Sequence, residues 1–172
     1  MLRKLRETGP VLLVPLAWTF ATAAHLELLA TRTVLVGHVV MAVLLFGFAA
    51  LSYRDMRVHP VLRAWLAVIV AGFGVTLVGT YALWAGGDPT LTAFTVAGWM
   101  VLPALALLYT GWVLPAEERA GSYTLGGVLS GLGALLFVAN GLLFVSSGAT
   151  LAALALVGVG QTLGIAVAVL EY

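Results

Sequence analysis

The 172-residue sequence has no cysteine and few charged residues of any kind. Without cysteine, the chain forms no disulfide, holds no metal through thiolate and has no thiol nucleophile. Charged residues make up 9% of the chain, whereas a typical soluble domain has about a quarter. Hydrophobic residues make up 62%, and the mean hydropathy is +1.11. This composition excludes a soluble globular domain and predicts a protein that lies in the lipid bilayer through most of its length.

Several catalytic signatures are also missing. The sequence has no glycine-rich phosphate loop, no HExxH motif and no paired aspartates of the kind that lipid-phosphate transferases use. Lys4 is the only lysine, so no span carries a lysine that retinal would modify. Hydrolase and transferase chemistry is therefore disfavoured, although the residues do not decide whether the chain is an enzyme. The net charge of +1, without a basic stripe, indicates no nucleic-acid partner.

Six apolar segments have the length that crosses a membrane, which takes about 20 residues for each helix. They predict an all-α, polytopic integral membrane protein in which six transmembrane helices form one bundle and a single domain over residues 1–172. The basic N-terminus resembles the start of a signal peptide, but the apolar run continues to about Ala30 without a cleavage site, which favours a retained first span. We place the spans near residues 10–30, 33–53, 61–86, 91–114, 123–145 and 149–170.

The basic residues predict the orientation of the chain. Arg32 lies on one side of the predicted membrane, and the other seven lysine and arginine residues lie on the opposite side: Arg3, Lys4, Arg6, Arg54, Arg57, Arg63 and Arg119. The positive-inside rule places the richer side in the cytoplasm. We therefore expect a multi-pass protein of the cell membrane with both termini in the cytoplasm, which requires an even number of spans.

The two halves of the chain share a sequence pattern. Residues 72–77 in the third span, GFGVTL, echo residues 158–163 in the sixth, GVGQTL. A three-span unit repeated once must enter the membrane upside down the second time, which is the inverted-repeat pattern of many transporters. The pattern predicts a possible three-plus-three inverted repeat.

Glycines four residues apart predict close helix packing. Gly127 and Gly131 lie in the fifth span, and Gly160 and Gly164 lie in the sixth. Small residues at this spacing let two helix backbones approach closely. Besides packing within the bundle, such glycine-rich faces are candidate contacts with other membrane subunits or with a second copy of the chain.

Two histidines are the leading candidates for a functional site. If the first helix leaves the membrane near Ala30 and the second enters near Thr33, the rings of His25 and His38 both lie roughly 7 Å below the same surface, at 1.5 Å of rise per residue. Ionisable groups inside a membrane favour a functional role. Two imidazoles at one depth suit the iron of haem b, or half of a copper or zinc site. The alternative is that each ring hydrogen-bonds a carbonyl or hydroxyl of a neighbouring helix.

The leading hypothesis is thus a small haem- or metal-binding membrane protein with a redox role. A second hypothesis is a permease or substrate-capture subunit, whose outer-half cavity adds Tyr81, Asn140 and Gln161 to the histidines, with Glu27 at the mouth. Interhelical hydrogen bonding is the alternative for the two amides, and an interfacial position or pairing with Arg32 is the alternative for Glu27. A third hypothesis is an accessory subunit of a larger membrane complex.

Overall fold

The computed structural model describes the backbone of residues 2–143 and 146–171 and the side chains of residues 11–143 and 146–170. These residues form six α helices, with a single turn of 3-10 helix at Ala116–Glu118 and no strand. The helices are α1 Leu2–His25, α2 Thr31–Met56, α3 Pro60–Trp84, α4 Pro89–Val113, α5 Ala120–Leu143 and α6 Ser147–Glu171.

The prediction of an all-helical membrane protein with six helices is confirmed. Helices α2 to α6 are each long and apolar enough to cross a membrane, and α1 adds a shorter apolar stretch, Val11–His25. The predicted end of the fifth span at 145 lies outside the described residues. The cell membrane and the cytoplasmic termini stay predictions.

The first helix ends earlier than the sequence predicts. The predicted span continues to residue 30, but α1 ends at His25. The N–H of Leu28 donates to the carbonyl of Ala23 at 3.0 Å, and the N–H of Glu27 donates to that of Ala24 at 3.1 Å. Glu27 has a φ of 57°, so these bonds form a Schellman motif with Glu27 in the left-handed position. A backbone cap therefore ends α1 while the sequence is still apolar.

Each helix packs along its neighbour in the spatial order α2, α3, α4, α5, α6, α1. The first helix lies along α6 and touches α2 where the ring of Phe20 meets Gly37. An inverted repeat would make the pair α1 and α2 equivalent to the pair α4 and α5. Helix α4 packs along α5, whereas α1 and α2 lie at opposite ends of the spatial order and meet at Phe20 and Gly37. These two pairs therefore differ in their packing, and the inverted repeat stays a prediction.

The interior has its main cluster where α1, α4, α5 and α6 meet, at Trp18, Met100, Ala134, Leu154 and Val157. The second helix is at the edge of the bundle, since only Ala42 and Ser52 are buried along its length. Most of the α2 surface therefore faces lipid when the protein is in a bilayer.

Glycines bring α5 and α6 together, but not all of those that the spacing indicated. A Cβ on Gly126 would lie 2.6 Å from the carbonyl oxygen of Gly160, and one on Gly160 would lie 2.5 Å from that of Gly126. Gly133 also faces α6, whereas Gly127 packs against α4 and Gly131 faces open space. Residues 126 and 133 are seven apart and share one helix face. The face of α5 that meets α6 therefore contains Gly126 and Gly133, and not Gly127 and Gly131 as we predicted.

Candidate functional site

His38 lies at the junction of three helices. It follows the first residue of α2 by seven positions, about two turns, and its ring is half-buried. Nδ1 is 3.0 Å from the carbonyl oxygen of Val34. Because a carbonyl only accepts, this hydrogen bond requires the hydrogen to be on Nδ1, and the tautomer of that kind has a lone pair on Nε2. The ring edge contacts Gly79 of α3, where a Cβ would lie 3.0 Å from Cδ2 of His38 and 2.7 Å from the methyl group of Thr95 in α4.

His25 has a different setting from the one that we predicted. It is the last residue of α1 and is exposed. The expectation of equal depth assumed that α1 continues to Ala30, and the Schellman motif at Glu27 removes that assumption. Measured from the nearer helix end, His38 is about 10 Å into α2 at 1.5 Å per residue, whereas His25 is at the end of α1.

The rotation of α2 also separates the two rings. Gly37 is the residue of α2 that meets α1, through Phe20. The next residue, His38, points about 100° further round the helix, toward α3. Five residues, 26–30, connect the two helices that carry the histidines, but the structure turns the ring of His38 away from α1 and toward Gly79 of α3.

Two of the residues proposed to line a cavity lie on the surface. Tyr81 is 58% exposed, and its ring centroid is 6.3 Å from that of Trp84, the last residue of α3. Paired aromatics near a helix end are typical of the headgroup region. Glu27 is exposed in the turn after α1.

Asn140 ties the end of α5 to the start of α6. Its Nδ2 donates to the carbonyl oxygen of Ser146 at 2.9 Å and to Oγ1 of Thr150 at 2.8 Å. Its Oδ1 accepts a hydrogen bond from the N–H of Ser146 at 2.9 Å. The amide thus bridges two helices, which is the alternative that we gave to a binding role.

Gln161 is only 4% exposed and bridges three helices. Its Oε1 accepts from the indole Nε1 of Trp18 in α1, and its Nε2 donates to the carbonyl oxygen of Trp99 in α4, both at 3.0 Å. Trp99 precedes Pro103 by four residues. Because proline has no N–H, it leaves that carbonyl without its helical partner. Gln161 supplies the missing hydrogen bond from α6.

The same chain of hydrogen bonds continues into α3. The indole Nε1 of Trp99 donates to Oγ1 of Thr76 at 3.0 Å, and Thr76 donates to the carbonyl of Gly72 at 2.8 Å. Side chains therefore link α1, α6, α4 and α3 through the interior. The sequence reasoning missed the roles of Trp18 and Thr76. The available signal was Pro103, because the carbonyl that it frees, that of Trp99, needs a donor from another helix.

The described surface has a groove between α3 and α4 and another where α2 ends and α3 begins. The larger, about 320 Å³, lies between α3 and α4 and is lined by Ala64, Ala67, Val68, Ala71, Leu102, Leu105, Ala106 and Tyr109. The smaller, about 200 Å³, lies where α2 ends and α3 begins and is lined by Phe48, Ser52, Asp55, Met56 and Leu62. No residue that we predicted for a binding site lines either groove.

Within residues 11–143 and 146–170, no group of three or more histidine, aspartate and glutamate side chains is arranged to hold a metal ion. A haem iron held by two imidazoles needs only two such side chains. No protein family, curated protein or solved structure matches this chain.

Proposed function

We propose that this integral membrane protein binds haem b or a metal ion through His38, with His25 as the second imidazole, and takes part in electron transfer. The observation that supports the proposal is the orientation of the His38 ring. Nδ1 is held by the Val34 carbonyl, which leaves Nε2 available as a ligand atom. Metal-ligating histidines are commonly oriented in this way, with the other ring nitrogen donating to a carbonyl.

The position of His38 supports the same proposal. Among the described side chains, His38 is the only histidine, acid or base that lies more than four residues from a helix end. An ionisable group at such a position in a span favours a functional role. His25 is exposed and is the nearest histidine along the chain to His38. Because the ring of His38 points away from α1, the pair forms only if the connection at residues 26–30 and the ring of His38 reorient when the group binds.

An oxidised-minus-reduced visible spectrum of the detergent-purified protein, expressed with haem supplied, tests the proposal. We expect a sharp band on reduction, which His38→Ala and His25→Ala each abolish. His59→Ala is the matched control, because His59 is also an exposed histidine but lies in the connection after α2, at its other end; it should keep the band. Elemental analysis of the same samples covers copper and zinc. A wild-type protein with no band and no bound metal would refute the proposal.

A second candidate function is that of an accessory subunit in a larger membrane complex, and the groove between α3 and α4 favours it. Ala67 and Ala71 line this groove, and Gly74, one turn further along α3, has open space beside it. Small residues let a helix of another subunit approach closely. Gly126 of α5 and Gly160 of α6 pack against each other inside the bundle and are not free to contact another subunit. We therefore assign the contact surface for another subunit to α3.

The absence of cysteine makes this second candidate easy to test. A single cysteine at Ala67→Cys, labelled in native membranes with a maleimide that carries a benzophenone and then irradiated, should give one adduct of defined mass, because the excited benzophenone inserts into C–H bonds of whatever packs against it. Val159→Cys, on the exposed face of α6, should give none. Equal adduct formation at both positions, or no adduct at either, would contradict the docking role, and an adduct of twice the chain mass would identify a second copy as the occupant.

A further inference from the structure

The smaller groove contains a buried hydroxyl group without a partner. Ser52 is 2% exposed, and its Oγ has no hydrogen-bond partner. It lines the groove of about 200 Å³ together with Phe48, Asp55, Met56 and Leu62. Buried hydroxyl groups in folded proteins are nearly always hydrogen-bonded, so this one points to a ligand that supplies the missing acceptor.

Ser52 differs from the other hydroxyl residues of the bundle. Eight threonines donate to the carbonyl four residues earlier: Thr19, Thr22, Thr76, Thr80, Thr92, Thr95, Thr110 and Thr124. Ser52 does not make this bond. Ser130 also lacks a partner, but it is packed against Gly160, where a Cβ would lie 2.8 Å from its Oγ. Of these two serines, Ser52 alone lines a groove.

Basic residues are concentrated at the end of the bundle where this groove lies. Arg54, Arg57 and Arg63 lie at the end of α2, in the following turn and in the first turn of α3, and all are exposed; the guanidinium of Arg57 lies over the ring of Tyr53. Asp55 is the single acidic residue here; it lines the groove and interacts within the chain. Basic residues at a helix end attract anionic lipid headgroups.

We propose that this corner of the bundle binds one anionic phospholipid. Oγ of Ser52 donates a hydrogen bond to an ester carbonyl oxygen of the lipid, and the phosphate lies among the arginines of the turn. The apolar walls, Phe48, Met56 and Leu62, contact the glycerol and the first part of an acyl chain. An apolar pocket with one buried donor, at the end of the bundle where the arginines are concentrated, matches a lipid better than a soluble anion, which would make no use of the apolar walls.

Native mass spectrometry of the full chain in detergent, with phosphatidylglycerol and phosphatidylcholine of identical acyl chains, tests this proposal. We expect the wild type to prefer phosphatidylglycerol. Ser52→Ala should weaken its binding about fivefold, the factor for one hydrogen bond. Arg57→Gln should have an effect of about the same size. Ser130→Ala, at the other unpartnered serine, and Arg32→Gln, at the opposite end of α2, should bind as the wild type does.

A thermal unfolding series separates loss of the site from loss of the fold. Without lipid, Ser52→Ala should be at least as stable as the wild type, because the variant removes an unpaired buried hydroxyl. Phosphatidylglycerol should then raise the Tm of the wild type more than that of Ser52→Ala. Equal binding of the two lipids, or unchanged binding of phosphatidylglycerol by Ser52→Ala, would overturn the proposal. Displacement of the lipid by glycerol phosphate would overturn it in favour of a soluble phosphate ligand.

Discussion

Replacing Gln161 with leucine should destabilise the bundle through two lost hydrogen bonds. The variant removes the acceptor for the Trp18 indole and the donor to the Trp99 carbonyl, both 3.0 Å contacts. Hydrogen bonds between transmembrane helices contribute about 0.6 kcal/mol on average and at most about 1.7 kcal/mol. We therefore expect Gln161→Leu to lower the free energy of unfolding by roughly 1 to 3 kcal/mol.

Pro103 provides the internal control for this prediction. In Pro103→Ala, the restored N–H of residue 103 donates to the Trp99 carbonyl, which then no longer depends on Gln161. In the Pro103→Ala background, Gln161→Leu should therefore lower the free energy of unfolding by a smaller amount. The difference should equal the energy of one hydrogen bond, about 0.6 to 1.7 kcal/mol. The double-mutant cycle isolates this coupling from the other effects of removing a proline.

Unfolding of all four proteins in mixed micelles, with increasing sodium dodecyl sulfate and far-UV circular dichroism as the signal, measures the cycle. Helical circular dichroism is preferable to tryptophan fluorescence here because two of the partners are tryptophans. The reasoning is refuted if Gln161→Leu is as stable as the wild type. It is also refuted if the two substitutions are additive within about 0.5 kcal/mol, the scatter expected of independent sites.

Two further predictions concern backbone geometry, and thermal unfolding in detergent measures both. Glu27→Gly should stabilise the protein by about 1 kcal/mol, because a left-handed backbone is costly for residues with a Cβ; Glu27→Ala, which keeps the Cβ, should show no such gain. Gly160→Ala should destabilise it by about 1 to 3 kcal/mol through overpacking against Gly126. Gly131→Ala, on the open side of α5, should be neutral or stabilising by up to about 1 kcal/mol; equal losses in the two glycine variants would contradict the packing described for α5 and α6.

The helices themselves were predictable from the sequence, and their ends less so. Long apolar runs must form helices in lipid, because every backbone polar group there needs an internal partner. The end of α1 was not predictable in the same way, since Leu26, Leu28 and Leu29 continue the apolar run past His25. A turn in the backbone at Glu27, rather than a change in hydropathy, ends that helix.

The candidate site shows the same division. The sequence placed His38 inside the second span, and the structure has it there, but the sequence had no means to say that the ring meets Gly79 rather than His25. Asn140 and Gln161 stood out as polar residues in apolar helices; their partners follow from contacts that are far apart in the chain. Ser52 did not stand out at all, because the hydroxyl group of a serine in a helix ordinarily donates a hydrogen bond to the carbonyl four residues earlier.

The sequence by itself determined that this is a membrane protein of six helices without thiol chemistry, and that its basic residues are concentrated at one set of helix ends. Only the tertiary structure decided which face of each helix meets protein and which meets lipid. The physical reason is that lipid tails are as apolar as a leucine-lined interior, so hydrophobicity alone does not distinguish the two faces. The rotation of each helix depends instead on close contacts and hydrogen bonds between distant residues, such as Gly126 with Gly160 and Trp18 with Gln161.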